Sequence, residues 1–383
     1  MTLVAGEDHL LTTWRARFAD WRIRRIADPS FRALALRLPF TRKTANRKAR
    51  ALFDLTAGFV YSQILLACVE LNLFEILHGG AHDGETLAKR LGLSRQATTR
   101  LLDAAVSLDL LARRGRYYRL GDLGAAMIDN PGVAAMVRHH RLLYRDLADP
   151  VALLQRGGRD SALNHFWTYA RTGHGLTRTQ SADGEASAEY SALMAVSQGM
   201  VADEIVAAYP FSRHRRILDV GGGTGTFLEK VAAVAPDADL MLFDLPDVVD
   251  LARKRLADKS LAGRMTFHAG SFFDDPLPGG ADLVCLVRVL YDHDDEAVLK
   301  ILRAARNALS PGGRLLVAEP MAGAAGAEAM GDAYFGFYLF AMDGGRPRDF
   351  KTIAQLASSA GFGTARHMRA RSPLMTGMAV FVI

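Results

Sequence analysis

Cysteine is nearly missing from this chain: only Cys68 and Cys285 occur in 383 residues, both among apolar neighbours. Two distant cysteines make neither a disulfide framework nor a metal motif, so reduced core thiols in a cytoplasmic protein are expected, with no bound metal. No stretch approaches the ~20 uninterrupted apolar residues that cross a bilayer. The first residues, MTLVAGEDHLLTTW, carry acids early, which argues against a secretory leader. Acids are otherwise scarce at that end, where residues 1–50 hold twelve Lys and Arg against Glu7, Asp8, Asp20 and Asp28. The segment is therefore +8 within a chain of net charge +6, and the remainder is near −2. A basic chain end points to an anionic surface, either nucleic acid or membrane. Half of the residues are hydrophobic and 23% are charged, as in a globular protein. The length exceeds the roughly 250–300 residues at which one core stops growing, so several domains are expected.

Residues 1–50 form a basic arm. Within it, 10–38 reads as two amphipathic helices broken at Asp28-Pro29. Trp14, Phe18 and Trp21 fall at i, i+4 and i+7, with Arg15, Arg17, Arg22, Arg24 and Arg25 around them, a pattern suited to lipid headgroups. The plainer reading is an arm packed on the protein or on a second subunit. Residues 51–128 read as helix, turn at Gly92, helix and short hairpin around Gly115, the outline of a winged helix. Ser94, Arg95, Gln96 and Thr99 could enter a DNA groove, but the block lacks a broad basic face, and a dimerisation module is the better expectation. Residues 129–210 are mostly helical, with a polar loop over 157–187 suited to covering a substrate. His139 and His140 are candidate ligands or bases there, and neighbours on a helix point in different directions.

From residue 211 strand and helix alternate, predicting an α/β domain with a mostly parallel sheet through 383. The first strand ends in LDVGGGTGT, Leu218 to Thr226, where glycines permit a sharp turn and close backbone approach to a ligand. The next strand ends at Asp244, 21 residues after Gly223, where a carboxylate suits two ribose hydroxyls. A dinucleotide loop wants G-x-G-x-x-G, but the last position counted from Gly221 is Thr226. The sequence offers D-x-G-x-G-x-G instead: Asp219, Gly221, Gly223 and Gly225. That string resembles motif I of class I S-adenosylmethionine methyltransferases. GSFFDDPLP follows the third strand, where such enzymes hold adenine; Ser271 would supply a hydroxyl and Phe272 an apolar face, although either Phe272 or Phe273 could be plain core.

From about residue 50 onward the chain resembles the plant-type small-molecule O-methyltransferases. The matching stretches are LNLFEIL (71–77), LDVGGGTG, FDLP (243–246), GSFF, VLYDHDDEAVLKIL (289–302), LSPGGRLLVAEP (309–320) and GGRPRDF (344–350). RHHRLLYRDLADPVALLQRGG (138–158) and the arginine-rich arm look closer still to the carotenoid O-methyltransferases of phototrophic bacteria, which methylate the tertiary hydroxyl of hydroxyneurosporene or demethylspheroidene. The resemblance implies a Rossmann-like class I domain with an antiparallel C-terminal strand, a winged-helix dimerisation domain before it, a homodimer, and S-adenosylmethionine as cofactor. It puts Asp244 and Leu245 at the ribose and Gly221 and Gly223 at the methionine end. Asp219 either braces the loop or touches the cofactor. Tyr190 and Met194 stand where the family has a substrate-contacting aromatic and methionine. Arg288, a cofactor-binding candidate by the same resemblance, lies one position after the family's lysine, and along a strand that shift turns a side chain to the opposite face.

The family's base belongs to L-H-D-W-x-D-E, which here reads L-Y-D-H-D-D-E: Tyr291 replaces the histidine and His293 the tryptophan. Of two flanking acids, Glu319 is present and the other falls on Pro347. A tyrosine with a pKa near ~10 is a poor base, so Tyr291 is expected to position the hydroxyl. His293, His139 or His140 would then take the proton. Asp292, Asp294 and Asp295 include at least one plain helix cap. Two other readings remain open here: C-methylation of a tetrapyrrole, and a cofactor-sensing DNA-binding regulator.

Overall fold

The computed structural model describes residues 4–166, 198–257, 261, 263–324, 326–368 and 376–383. They divide into two compact units, Met1–Ala125 and Ala126–Ile383.

The first unit opens with helices Val4–Ala27, Pro29–Arg37 and Pro39–Glu70. The break falls where Asp28-Pro29 placed it: the Asp28 carboxylate caps the second helix by accepting Ser30 N–H at 2.8 Å, and Pro29 has no donor to lose. The third helix runs unbroken through residue 50, where an arm boundary was expected. Only its last turns are buried, at Leu66, Cys68 and Val69. By length and composition alone it could cross a membrane, although polar residues interrupt its apolar stretches. Helices Gly84–Leu91 and Arg95–Ser107 follow, capped by Asp83 and Ser94 and joined through Gly92 at φ 65°. Strands β1 (His82–Asp83), β2 (Leu111–Arg114) and β3 (Tyr117–Leu120) form a small antiparallel sheet, order β1-β3-β2. Two DNA-groove candidates are already engaged: Ser94 caps its helix and Arg95 pairs with Glu85 at 3.7 Å.

The second unit is built on seven strands: β4 (Arg216–Val220), β5 (Asp239–Asp244), β6 (Met265–Ala269), β7 (Ala281–Val287), β8 (Leu309–Glu319), β9 (Ala365–Met368) and β10 (Gly377–Val382). Their order is β6-β5-β4-β7-β8-β10-β9; β10 runs antiparallel to both neighbours and the other pairings are parallel. Apolar residues on both faces are buried, as in Ile217, Leu218 and Val220 of β4 or Leu283 to Leu286 of β7. Such strands need helices on each side, and that is why they read as continuous apolar runs. Edge strand β9, ARHM, has no such run and was not anticipated. Chain order reverses between β4 and β7, and a ligand crevice forms outside the carboxyl ends of strands at such a point. The glycine loop leaves β4 there, and the Arg288–His293 turn leaves β7.

Candidate active site

Gly221 sits at φ 71°, with its N–H bonded to Phe243 O at 2.8 Å, and a Cβ there would lie 2.9 Å from Val289 Cγ2. Glycine is required on both counts. Gly223 N–H donates to Asp244 Oδ2 and Leu245 N–H to Asp244 Oδ1, each at 2.7 Å. Asp244 thus ties the loop to the end of β5 and keeps lone pairs for a ligand. Burial raises its pKa while those two amides lower it. Asp219 is 1% exposed, and neither of its oxygens has a hydrogen-bond partner among the described residues. Burial, then the neighbouring Asp244, pushes its pKa well above the carboxylate range. The crevice is therefore rich in acceptors, and a ligand seated there must bring donors. Gln198, which sequence reasoning passed over, lies against the open face of Gly223: its side chain is 3.6 Å from where a Cβ would be.

Beside the loop, the Ser271 hydroxyl donates to Asp274 at 3.0 Å and accepts from Phe273 N–H at 3.2 Å, so it is engaged in its own turn. Phe272 and Phe273 pack edge-on at 4.7 Å, and the His293 ring meets them at 5.6 and 5.3 Å. His293 therefore belongs to this aromatic group.

Arg288 departs from its expected place. Its φ of 57° lies in the left-handed region, which ends the alternation of β7. The guanidinium is hydrogen-bonded to the Tyr291 hydroxyl and neighbours Asp292 and Tyr338. Burial drives the Tyr291 pKa up and Arg288 pulls against it, so the group stays a phenol. Asp292 is pushed up to about 7 by burial, opposed by Arg288, and its Oδ1 has no hydrogen-bond partner among the described residues. Glu319 is fully buried and accepts Tyr291 N–H at 3.1 Å through Oε2, while Oε1 has no hydrogen-bond partner among the described residues. Asp294 is the plain cap, taking Ala297 N–H at 2.8 Å.

Arg348 fixes this turn from below. At 1% exposure it donates to Leu290 O at 2.9 Å, His293 O at 2.6 Å and Asp295 Oδ1 at 2.8 Å. Gly345, at φ 58°, packs so closely on Tyr291 O that any Cβ would collide with it.

Burial lifts the Glu319 pKa to about 8, with Arg348 opposing. A folded value above the unfolded one means that this group's contribution to stability is full below 4.5 and is lost as pH rises through about 8. Urea unfolding is expected to give a lower stability at about pH 8.5 than at about pH 6, with Glu319→Gln flattening the slope. An unchanged slope in the variant refutes the assignment.

A second cluster stands beside Tyr291. His139 Nε2 meets the Tyr338 hydroxyl at 2.7 Å, and His140 Nε2 meets the Tyr334 hydroxyl at 2.7 Å. Tyr291, Tyr334, Phe335 and Tyr338 pack in one apolar group. Burial holds His139 down at about 4 and lowers His140 as well, so both rings are neutral at ordinary pH. The two tyrosines lie on the π-helical turn Ala329–Phe335 and the helix Gly336–Ala341. Sequence reasoning missed them, and the aromatic run YFGFY (334–338) was the available signal. Tyr190 and Met194 lie outside the described residues. Among the described residues no group of three or more His, Cys, Asp or Glu could hold a metal.

Residues 144–363 match the family model of the O-methyltransferase domain, and 53–130 match that of the O-methyltransferase dimerisation domain. The chain is 46% identical over 333 residues to the demethylspheroidene O-methyltransferase of Cereibacter sphaeroides, covering 87% of this chain and 86% of that one. It is 42% identical over 342 residues to the enzyme of the same name from Rhodobacter capsulatus, covering 89% and 84%. The structure of human N-acetylserotonin methyltransferase in complex with SAM superposes with a TM-score of 0.71 at 26% identity, covering 88% and 97%. The chain belongs to the O-methyltransferase family, as an S-adenosylmethionine-dependent enzyme whose catalytic unit has the class I α/β fold and which carries a dimerisation domain.

Proposed function

We propose that the enzyme methylates the tertiary C1 hydroxyl of an acyclic hydroxycarotenoid of the demethylspheroidene or hydroxyneurosporene type, as a homodimer. The observation that carries this reading is the likeness, over seven-eighths of the chain, to two enzymes named for demethylspheroidene. Nothing in the family matches favours tetrapyrrole C-methylation or a DNA-binding regulator.

When bound, S-adenosylmethionine supplies a methyl group on a sulfonium, a donor already activated. The donor-poor crevice suits its hydroxyls and ammonium. Asp244 accepts from the ribose, with Leu245 beside it. Gly221 and Gly223 line the methionine end, and the orphaned Asp219 either accepts from it or braces the loop. Phe272 flanks the adenine, with Ser271 shaping the turn. A tertiary alcohol is too weak an acid to ionise first, so its proton leaves during or after attack. Alignment in a dry pocket can supply up to ~7–11 kcal/mol of the barrier reduction. Tyr291, with Arg288 donating to its oxygen, has its own proton left to donate to the acceptor hydroxyl and so fixes the attacking lone pair. Glu319 holds the Tyr291 backbone in place. Purified enzyme with methyl-labelled S-adenosylmethionine is expected to pass label to a hydroxycarotenoid and not to a chlorophyllide. Label in the chlorophyllide alone overturns the reading.

The arm fits such an acceptor, because a long polyene dissolves in bilayers and the enzyme must meet it at a membrane surface from the cytoplasmic side. Trp14, Phe18 and Trp21 stack in series at 5.8 and 5.7 Å, are 65%, 51% and 50% exposed, and share their helix with five arginines. Replacing the three rings by serine in the full chain is expected to reduce co-sedimentation with anionic vesicles. Equal sedimentation refutes membrane contact through this face.

A further inference from the structure

The acceptor's proton needs a destination, and the position where the family has its histidine is here a tyrosine already bonded to Arg288. Two histidine–tyrosine pairs stand next to it, equal in length and unequal in access. His139 and Tyr338 are 9% and 6% exposed, whereas His140 and Tyr334 are only half-buried. We propose that Tyr334 and His140 form the proton exit of the methyl transfer. Tyr334 touches the acceptor hydroxyl, His140 takes the proton through it, and the buried pair is the fixed wall behind them. This inference rests on the reading that the acceptor is an aliphatic alcohol.

The hydrogen bonding sets the direction of travel. Among the described residues the Tyr334 hydroxyl has two acceptors within reach, His140 Nε2 at 2.7 Å and Met136 Sδ at 3.7 Å. A thioether is a weak acceptor, so the hydrogen belongs to the imidazole, whose proton is then on Nδ1. Burial keeps that imidazole neutral and keeps Tyr334 a phenol, with Arg288 opposing the latter shift. Tyr334 therefore relays a proton and does not store the charge. Its placement comes from the π-helical turn Ala329–Phe335, a conformation frequent at functional sites.

In the step, the acceptor oxygen gains the methyl as the methyl–sulfur bond leaves its pair on the departing thioether, and the acceptor O–H bond breaks with its pair staying on what becomes the ether oxygen. The proton goes to Tyr334 Oη while the proton of Tyr334 goes to His140 Nε2. The imidazolium, in the less buried of the two pairs, then gives a proton to solvent water.

Tyr334→Phe and His140→Gln are each expected to lower kcat about 100-fold, with KM for the alcohol and calorimetric affinity for S-adenosylmethionine unchanged. The double variant should be no slower than either single one, because the two act as a unit. In wild-type enzyme labelled with ¹⁵N-histidine, the resonance lost in His140→Gln should report an unprotonated Nε2. Wild-type kcat in Tyr334→Phe, or an Nε2–H tautomer of His140, overturns the exit alone. A wild-type enzyme that leaves the carotenoid alcohol unmethylated overturns the acceptor reading and the exit with it.

Discussion

Asp244→Ala is expected to weaken S-adenosylmethionine binding about 1,000-fold while the enzyme stays folded. Two hydrogen bonds to a charged carboxylate at ~1.5–3 kcal/mol each make about 4 kcal/mol, which is that ratio. The loss has two origins. Ribose hydroxyls forfeit their acceptor, and Gly223 and Leu245 forfeit the group that shapes the loop, both bonds being 2.7 Å. Asp244→Asn keeps one acceptor oxygen and should fall between. The residue ends its strand in a half-buried position, so the sheet beneath does not depend on it. Isothermal calorimetry is the measurement, and a loss below tenfold would remove Asp244 from the cofactor site.

Arg348→Ala is expected to destabilise the fold by about 3–5 kcal/mol, the range for breaking a buried charged network. The carbonyls of Leu290 and His293 would lose their buried donor. Glu319 would lose the cation that opposes its desolvation. The partner Asp295 is 45% exposed at its side chain and contributes little to this sum. Arg348→Lys should rescue only a fraction, because one ammonium cannot reproduce the planar fork that reaches three groups. Urea unfolding measures the difference, and a loss under about 1 kcal/mol would mean that the turn holds itself.

The parts of this enzyme legible in its sequence are those with a local signature. Buried strands β4, β5, β7 and β8 appear as apolar runs, and the glycine loop and Asp244 have spacing that backbone geometry enforces. The break at Asp28-Pro29 is local chemistry of the same kind. What escaped reading depends on distance or on backbone irregularity. Tyr334 and His140 are 194 residues apart, and a π-helical turn breaks the 3.6-residue period that would have flagged the tyrosine's face. Arg288 reads as part of a continuing strand, but its left-handed φ ends the alternation there. The arm boundary at residue 50 was drawn from charge, and charge does not end a helix. Arg348 lay inside GGRPRDF without any sign of what it clamps.

That uninterrupted helix, Pro39–Glu70, has a further consequence for how its length can change. At about 1.5 Å and 100° per residue, 32 residues make a rod of about 48 Å fixed to the core at one end only. Deleting a single residue between Phe40 and Leu55 would swing everything before it by about 100° around the rod axis, turning the tryptophans to another side. Removing seven would return them to within about 20° of where they started. Tolerated length variants of this enzyme should therefore come in steps of whole turns.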